Sequence, residues 1–230
     1  MSAPVVDAEA VRAFLDKAEP FFDADYLGGL AAALEERTRA VRSGAVAWER
    51  WWSLPPVCRR IPADERRRWA ELMAPWVEAL QAGEAEPVLH AVQALPARPP
   101  WLLDWCTYWL AAAAPESNPW WARWVFRPEH KTGALLLVLA EPGDLVGTTL
   151  TETYGRMQSA QRFLGEVLAS MGRLKAVLDR HRPLVALASV YAVYLFTMAA
   201  WRMTDEFTRV LPPFPAVVRS LLGLTRWEEA

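Results

Sequence analysis

The sequence predicts an all-α fold, a multi-helix bundle, on three observations. Apolar residues recur at the 3.6-residue spacing of amphipathic helices along most of the chain, and no stretch keeps the two-residue alternation of a strand. Proline, glycine and aspartate separate these periodic segments where helices begin and end. An uncharged run from Pro183 to Trp201 is long enough for one helix without a polar face.

The first two predicted helices begin at aspartates. Asp7 can cap a helix that ends at Pro20, because a carboxylate accepts hydrogen bonds from the free N–H groups of a first turn. A second helix is predicted at about residues 25–42, with Asp23 and Asp25 at its start. Two carboxylates at this spacing could bind a divalent cation. We interpret them as capping residues, which is the commoner role of aspartate there.

Tryptophan is unusually frequent, with thirteen residues that occur in groups. Indole rings are favoured in cores, in protein interfaces and at membrane surfaces. Trp101, Trp105 and Trp109 lie four residues apart and form one stripe of a predicted helix. Core packing is the first interpretation of this stripe, and partner binding is the alternative.

A second group, Trp120, Trp121 and Trp124, is predicted to bind a partner. Trp120 and Trp121 are adjacent, so their side chains must point in different directions. Tryptophan is also enriched at the energetic centres of protein interfaces. The predicted partner-binding set is therefore these three residues together with Trp101, Trp105 and Trp109.

Two long helices are predicted in the second half, at about residues 144–182 and 183–204. No proline falls within the first of them, and its apolar residues keep the three–four spacing of a bundle helix. The apolar run at residues 134–140 could be a buried strand or a helical piece, and we interpret it as helical.

A soft domain boundary is expected between residues 128 and 143, where a polar break interrupts the helical pattern. It would separate a Trp-rich helical domain at residues 1–128 from a second segment at residues 143–230. The second segment would hold the long helix, the hydrophobic helix and a short amphipathic tail.

The hydrophobic helix could cross a bilayer or lie at the centre of a soluble bundle, and both alternatives stay open. About 20 apolar residues span the ~30 Å hydrocarbon layer. More basic residues precede this helix than follow it, so in a membrane the N-terminal part would stay in the cytoplasm. The residues expected to face lipid or core are Leu184, Leu187, Val190, Tyr191, Tyr194, Leu195 and Trp201.

No motif in the sequence specifies a reaction, a metal or a cofactor. His90, His130 and His181 lack the spacing of metal ligands, and Cys58 and Cys106 are expected to be reduced thiols. Phosphate loops, dinucleotide fingerprints and nucleophile elbows are missing. Neither a metal nor a cofactor is therefore expected.

The charge pattern does not indicate nucleic-acid binding. The net charge is −2, and one stretch concentrates basic residues. That basic stretch consists of Arg59, Arg60, Arg66, Arg67 and Arg68. We interpret it as a solvated helix face whose charges pair with neighbouring acidic residues.

These observations favour a non-catalytic helical accessory or scaffold protein that binds another protein, or itself, through Trp-rich surface. Membrane anchoring by the hydrophobic helix is part of this hypothesis. The N-terminus lacks a secretory pattern, so the expected location is the cytoplasm, or the cytoplasmic membrane with the N-terminal part inside.

Two alternatives belong to other functional classes. The first is a soluble all-α domain that binds a hydrophobic small molecule or forms a homodimer. The second is an enzyme without a readable motif, whose catalytic groups would come from Asp23, His90, Glu129 or His130.

Overall fold

The computed structural model describes residues 4–202 and 212–228, with side chains except at 142, 144 and 200–202. Helices dominate these ranges, so the predicted all-α fold class is confirmed. The extended pairing within them is limited to two isolated antiparallel bridges, Val6 with Leu139 and Arg127 with Thr132. The segment Ala134–Val138 is a 3₁₀ helix, which agrees with the helical interpretation of that apolar run.

The helices have the following bounds. They are α1 (Ala8–Ala18), α2 (Ala24–Arg42), α3 (Trp48–Trp51), α4 (Ala63–Met73), α5 (Val77–Ala82), α6 (Ala85–Ala94), α7 (Leu102–Ala113), α8 (Leu150–Met171), α9 (Arg182–Arg202), α10 (Phe214–Leu221) and α11 (Thr225–Glu228). Short 3₁₀ turns occur at Glu19–Phe21, Pro56–Arg60, Ala74–Trp76, Ala134–Val138, Pro128–His130 and Pro142–Leu145.

Aspartate caps start the first two helices, as predicted. An Asp7 carboxylate oxygen accepts hydrogen bonds from the backbone N–H groups of Glu9 and Ala10, each at 3.0 Å. Asp23 Oδ1 accepts the backbone N–H of Tyr26 at 2.7 Å. The Asp23 carboxylate therefore caps the start of α2, which is the ordinary role of aspartate at this position.

Two helices, α7 and α9, lie at the centres of the packing. Helix α7 is enclosed by α2, α5, α6 and the Pro56–Arg60 turn, and ten of its twelve residues are buried. Helix α9 is enclosed by α1, α8, α10 and the Ala134–Val138 turn. A helix that is apolar on every side needs neighbours on every side, and these elements supply them along the N-terminal half of α9.

The long helix is shorter than the predicted range of residues 144–182, because local signals end it on both sides. Thr149 caps its start by accepting the backbone N–H of Glu152 at 3.0 Å. Gly172, with φ of +65°, ends it in the left-handed conformation that favours glycine. Leu174 also has a positive φ, of 53°, so the chain turns before α9 begins.

Helix α9 is the one helix in the described ranges that is long and apolar enough to cross a bilayer. Leu184, Leu187 and Val190 are buried, and 61% of its most apolar 18-residue window is covered by the protein. Tyr191, Tyr194 and Leu195 are half-buried, because the covering layer thins toward the C-terminal end. The Trp201 side chain and the predicted helix end at residues 203–204 lie outside the described part.

The two predicted sequence segments share one hydrophobic core. Helix α1 lies near the start of the chain, yet its buried Val11 and Leu15 belong to the same cluster as the buried residues of α9. The Val6–Leu139 bridge connects the N-terminus to the region of the predicted boundary. Packing is thus continuous across residues 128–143.

Candidate functional site

The indole rings of the α7 stripe are packed in the interior. Trp105 and Trp109 have no exposed surface, and Trp101 is 8% exposed. The Trp51 ring lies 4.1 Å from that of Trp109, and the Trp52 ring lies 4.8 Å from that of Trp105. In this structure the three stripe residues are therefore buried in the core, in line with the first interpretation of the sequence. Partner binding by this stripe stays a prediction.

The second tryptophan group lies in the loop after α7 and is held against that helix. Thr107 Oγ1 accepts the backbone N–H of Trp121 at 2.9 Å and donates to the backbone oxygen of Leu103 at 2.6 Å. The Trp120 indole N–H donates to Asp104 Oδ1 at 2.7 Å. The loop is thus fixed at two points on the first two turns of α7.

A chain of aromatic rings continues from this loop to the other central helix. Trp120 lies 5.1 Å from Tyr108 of α7 and 5.8 Å from Trp124, measured between ring centroids. Trp124 lies 6.1 Å from Tyr191 of α9, whose ring is 5.7 Å from that of Tyr194. Trp120 is buried in this chain, whereas Trp121 and Trp124 are half-buried.

The loop next forms a tight backbone hairpin. Arg127 donates its N–H to the backbone oxygen of Thr132 at 2.8 Å, and Thr132 donates back at 3.2 Å. Gly133 follows with φ of 127° and ψ of 156°, a conformation that is essentially restricted to glycine. A Cβ atom on Gly133 would lie 2.5 Å from the backbone oxygen of Val125. Glycine is required here for the hairpin to lie against the loop.

These elements enclose an open cleft of about 410 Å³ between the two central helices. Asp104 lines it from α7, Tyr191 from α9, and Trp120 and Trp124 from the loop. The cleft is also lined by Arg60 at the end of the Pro56–Arg60 turn, by Arg123 in the loop, and by Arg127 and Thr132 in the hairpin.

The charged residues of the cleft are three arginines and one aspartate. Arg60 and Arg123 are exposed and form no ion pair within the described residues. Arg127 contacts Glu129, which is itself solvent-exposed, at 3.3 Å. The protein's own carboxylates therefore leave positive charge in the cleft unneutralised.

Asp104 is the unusual titratable group of this cleft. Desolvation raises the pKa of its carboxyl to about 7, although the Trp120 hydrogen bond and the charges of Arg60 and Arg123 act in the opposite direction. Its Oδ1 atom receives the Trp120 N–H, and Oδ2 receives no hydrogen bond from the described residues. A carboxyl group that holds a proton near neutral pH in a cleft is typical of a functional site.

No protein-family model, curated protein or solved structure matches this chain. The function is therefore inferred from the cleft and its surroundings.

A second, apolar pocket of about 500 Å³ lies beside the hairpin residue Thr132, since it shares this lining residue with the cleft. The apolar pocket is lined mainly by hydrophobic side chains, including Leu136, Leu137, Val146 and Tyr194, and Lys131 is the charged residue of its lining. A cationic cavity thus borders an apolar one, with the Tyr191–Tyr194 pair running along both.

The structure places the other predicted candidates apart from the cleft lining. His90 is exposed on α6. Glu129 and His130 are exposed in the Pro128–His130 turn, which lies inside the hairpin closed by Arg127 and Thr132. His181 is fully buried at the start of α9. Among the described residues, no group of three or more His, Cys, Asp or Glu side chains is placed to hold a metal ion.

Sequence reasoning missed Asp104, Arg123 and Arg127. A signal for the arginines was present, because they alternate with the aromatic residues of the Trp120–Phe126 loop, and interleaved basic and aromatic residues are typical of anion-binding surfaces. The predicted basic stretch is divided in the structure. Its Arg60 reaches the cleft, whereas Arg66 hydrogen-bonds the Ile61 backbone oxygen at 2.8 Å.

Proposed function

We propose that this protein is an all-α binding protein for a small amphipathic anion. The anionic head group would occupy the arginine-lined cleft, and the apolar part would occupy the pocket beyond Thr132. This proposal develops the alternative of a helical domain that binds a hydrophobic small molecule, and it adds a charged head group to that ligand.

The observation that carries the proposal is the set of three guanidinium groups in one cleft. Arg60, Arg123 and Arg127 come from two separate parts of the chain and line the same space. Guanidinium groups bind carboxylate and phosphate oxygens in fixed, often bidentate geometry. Arginines that merely keep a surface soluble have no reason to converge on a concave, Trp-lined space.

The dimensions and the lining agree with a small-molecule site. Ligand cavities usually measure about 300–1,000 Å³ and combine aromatic walls with a few polar groups. The cleft and the neighbouring pocket each fall within that range, at about 410 and 500 Å³. Trp124 and Tyr191 provide the aromatic wall on which an alkyl or aryl chain can pack.

Protein binding and membrane anchoring stay predictions. Trp121 and Trp124, which are half-buried, are the members of the predicted partner-binding set with surface to offer. The burial of Leu184, Leu187 and Val190 supports the core alternative for α9. We propose α9 as the internal support of the binding site, since its Tyr191 and Tyr194 line the two cavities.

The proposal is tested by titrating the purified protein with octanoate while following tryptophan fluorescence, because Trp120 and Trp124 line the cleft. We expect saturable binding of octanoate, and weaker binding of 1-octanol, which has the same chain without the charge. Arg123→Ala should weaken octanoate binding by about tenfold, the effect of losing one charge-assisted hydrogen bond. Circular dichroism checks that the variant keeps its fold.

Arg68→Ala is the matched control, because Arg68 is an exposed arginine of α4 that does not line the cleft. It should bind octanoate like the wild-type protein. Equal affinities for octanoate and 1-octanol, or equal losses in the two arginine variants, would contradict a specific anion site.

A further inference from the structure

The position of Asp104 among three arginines calls for an explanation, because a carboxylate there would compete with an anionic ligand. Asp104 lines the cleft together with Arg60, Arg123 and Arg127, yet it forms no ion pair with any of them in the described structure. Its Oδ1 atom is oriented by the Trp120 indole N–H at 2.7 Å. This bond fixes the carboxyl group and leaves Oδ2 without a partner among the described residues.

We propose that Asp104 binds the oxyanion in its protonated form, donating a hydrogen bond from Oδ2 to the head group. Ligand binding would then be coupled to the uptake of one proton. The inference rests on the proposed function and adds the residue that makes the affinity depend on pH. A neutral carboxylic acid donates to an oxyanion, whereas an ionised one repels it, so the same side chain permits or opposes binding.

In the ligand-free cleft the Asp104 carboxyl is already shifted toward its protonated form, because partial removal from water disfavours the charged carboxylate and raises the pKa. An anion placed beside Asp104 disfavours ionisation further, so the ligand and the proton stabilise one another by linkage. Binding should therefore weaken as the pH rises above neutral.

Other groups also face Asp104 in this cleft. The charges of Arg60 and Arg123 favour its ionised form. Burial raises the pKa of Cys58 in the neighbouring turn to about 12 and also raises the pKa values of Tyr108 on α7 and Tyr191 on α9. His130 is exposed in the turn that begins one residue after Arg127 and needs its own control.

The test is the octanoate affinity of the wild-type protein and of Asp104→Asn between pH 6 and pH 8.5, where octanoate stays ionised. The wild-type dissociation constant should rise by up to about tenfold per pH unit above neutral, as coupling to one proton requires. Asparagine also accepts the Trp120 N–H and always donates from its amide. Asp104→Asn should thus bind at pH 8.5 as tightly as at pH 6.

The outcomes separate this inference from the proposed function. Failure of the wild-type protein to bind octanoate at any pH would overturn the proposed function itself. Octanoate binding that is independent of pH, or equally dependent in Asp104→Asn, would overturn only the role of Asp104. If His130→Gln abolished the pH dependence, His130 would be its cause and the role of Asp104 would be overturned. We expect this variant to behave like the wild-type protein.

Discussion

Around His181, buried polar atoms lack hydrogen-bond partners in the described structure. Both ring nitrogens of this fully buried histidine are unpaired, and so is the Nε atom of Arg37 on α2. Glu35 Oε2 lies 3.9 Å from His181 Nε2, too far for a hydrogen bond. Its other carboxylate oxygen pairs with Arg180. The His181 imidazole is therefore buried without a hydrogen-bond partner among the described residues, within reach of the charges of Arg37 and Arg180.

This environment predicts a loss of stability in acid. Burial, together with the charges of Arg37 and Arg180, lowers the pKa of His181 to about 3 from its ordinary 6.5. The unfolded chain takes up the proton near pH 6.5 and the folded protein does not, so the contribution is full above that pH and is lost as the pH falls toward 3. His181→Leu should remove this dependence. Between pH 7 and pH 5 the wild-type protein should therefore lose about 1–2 kcal/mol more of its free energy of unfolding than the variant does.

Denaturant unfolding at pH 7, 6, 5 and 4 measures the effect. His90→Gln is the control, because His90 is exposed and its substitution should leave the acid dependence unchanged. If His181→Leu and the wild-type protein lost stability in parallel, the acid sensitivity would belong to other groups.

At the scale of elements, the hairpin after the tryptophan loop depends on one residue. Gly133→Ala would place a methyl group against the Val125 backbone oxygen and force alanine into a conformation that it strongly disfavours. We expect a loss of about 2–4 kcal/mol in the free energy of unfolding. Octanoate binding should weaken as well, since Arg127 and Thr132 belong to the same hairpin.

Gly28→Ala is the matched control for this substitution. Gly28 lies inside α2, has no atom near the position of an added Cβ, and lacks a positive φ. Alanine there should leave stability unchanged or raise it by up to about 1 kcal/mol. Similar losses in the two variants would show that the backbone conformation of Gly133 is not the cause.

The bounds of the elements show which signals the sequence carries. The start of α8 was readable, because Thr149 and Glu152 form the capping pattern of a Ser or Thr followed three residues later by Glu. Its end at Gly172 was readable too, since glycine favours the left-handed cap. The apolar spacing continues past both of these residues. The helix predicted from that spacing is therefore longer, at residues 144–182.

The candidate site was less predictable than the helices. The composition of the loop from Trp120 to Arg127 predicts a binding surface through its tryptophans, whereas its arginines carry no prediction. Asp104 has no local signal in the sequence, because its hydrogen bond and its raised pKa depend on which loop covers α7. Helical periodicity determines which face of a helix is buried but not which element covers it.

At the scale of the whole molecule, the enclosure of α9 predicts where the protein resides after cell lysis. The helix is surrounded by α1, α8 and α10, and its exposed fraction is confined to the C-terminal part. We expect the untagged protein in the soluble fraction as a discrete species. Retention in the membrane pellet after an alkaline carbonate wash would instead support the bilayer alternative.

The packing of α1 on α9 also sets a time order for synthesis. Val11 and Leu15 are synthesised before the helix that covers them, because α9 begins at Arg182, roughly 170 residues later. At about 5–20 residues per second, α1 waits on the order of 10–30 s with its apolar face uncovered. The nascent chain therefore offers chaperones an exposed amphipathic helix until α9 has been synthesised.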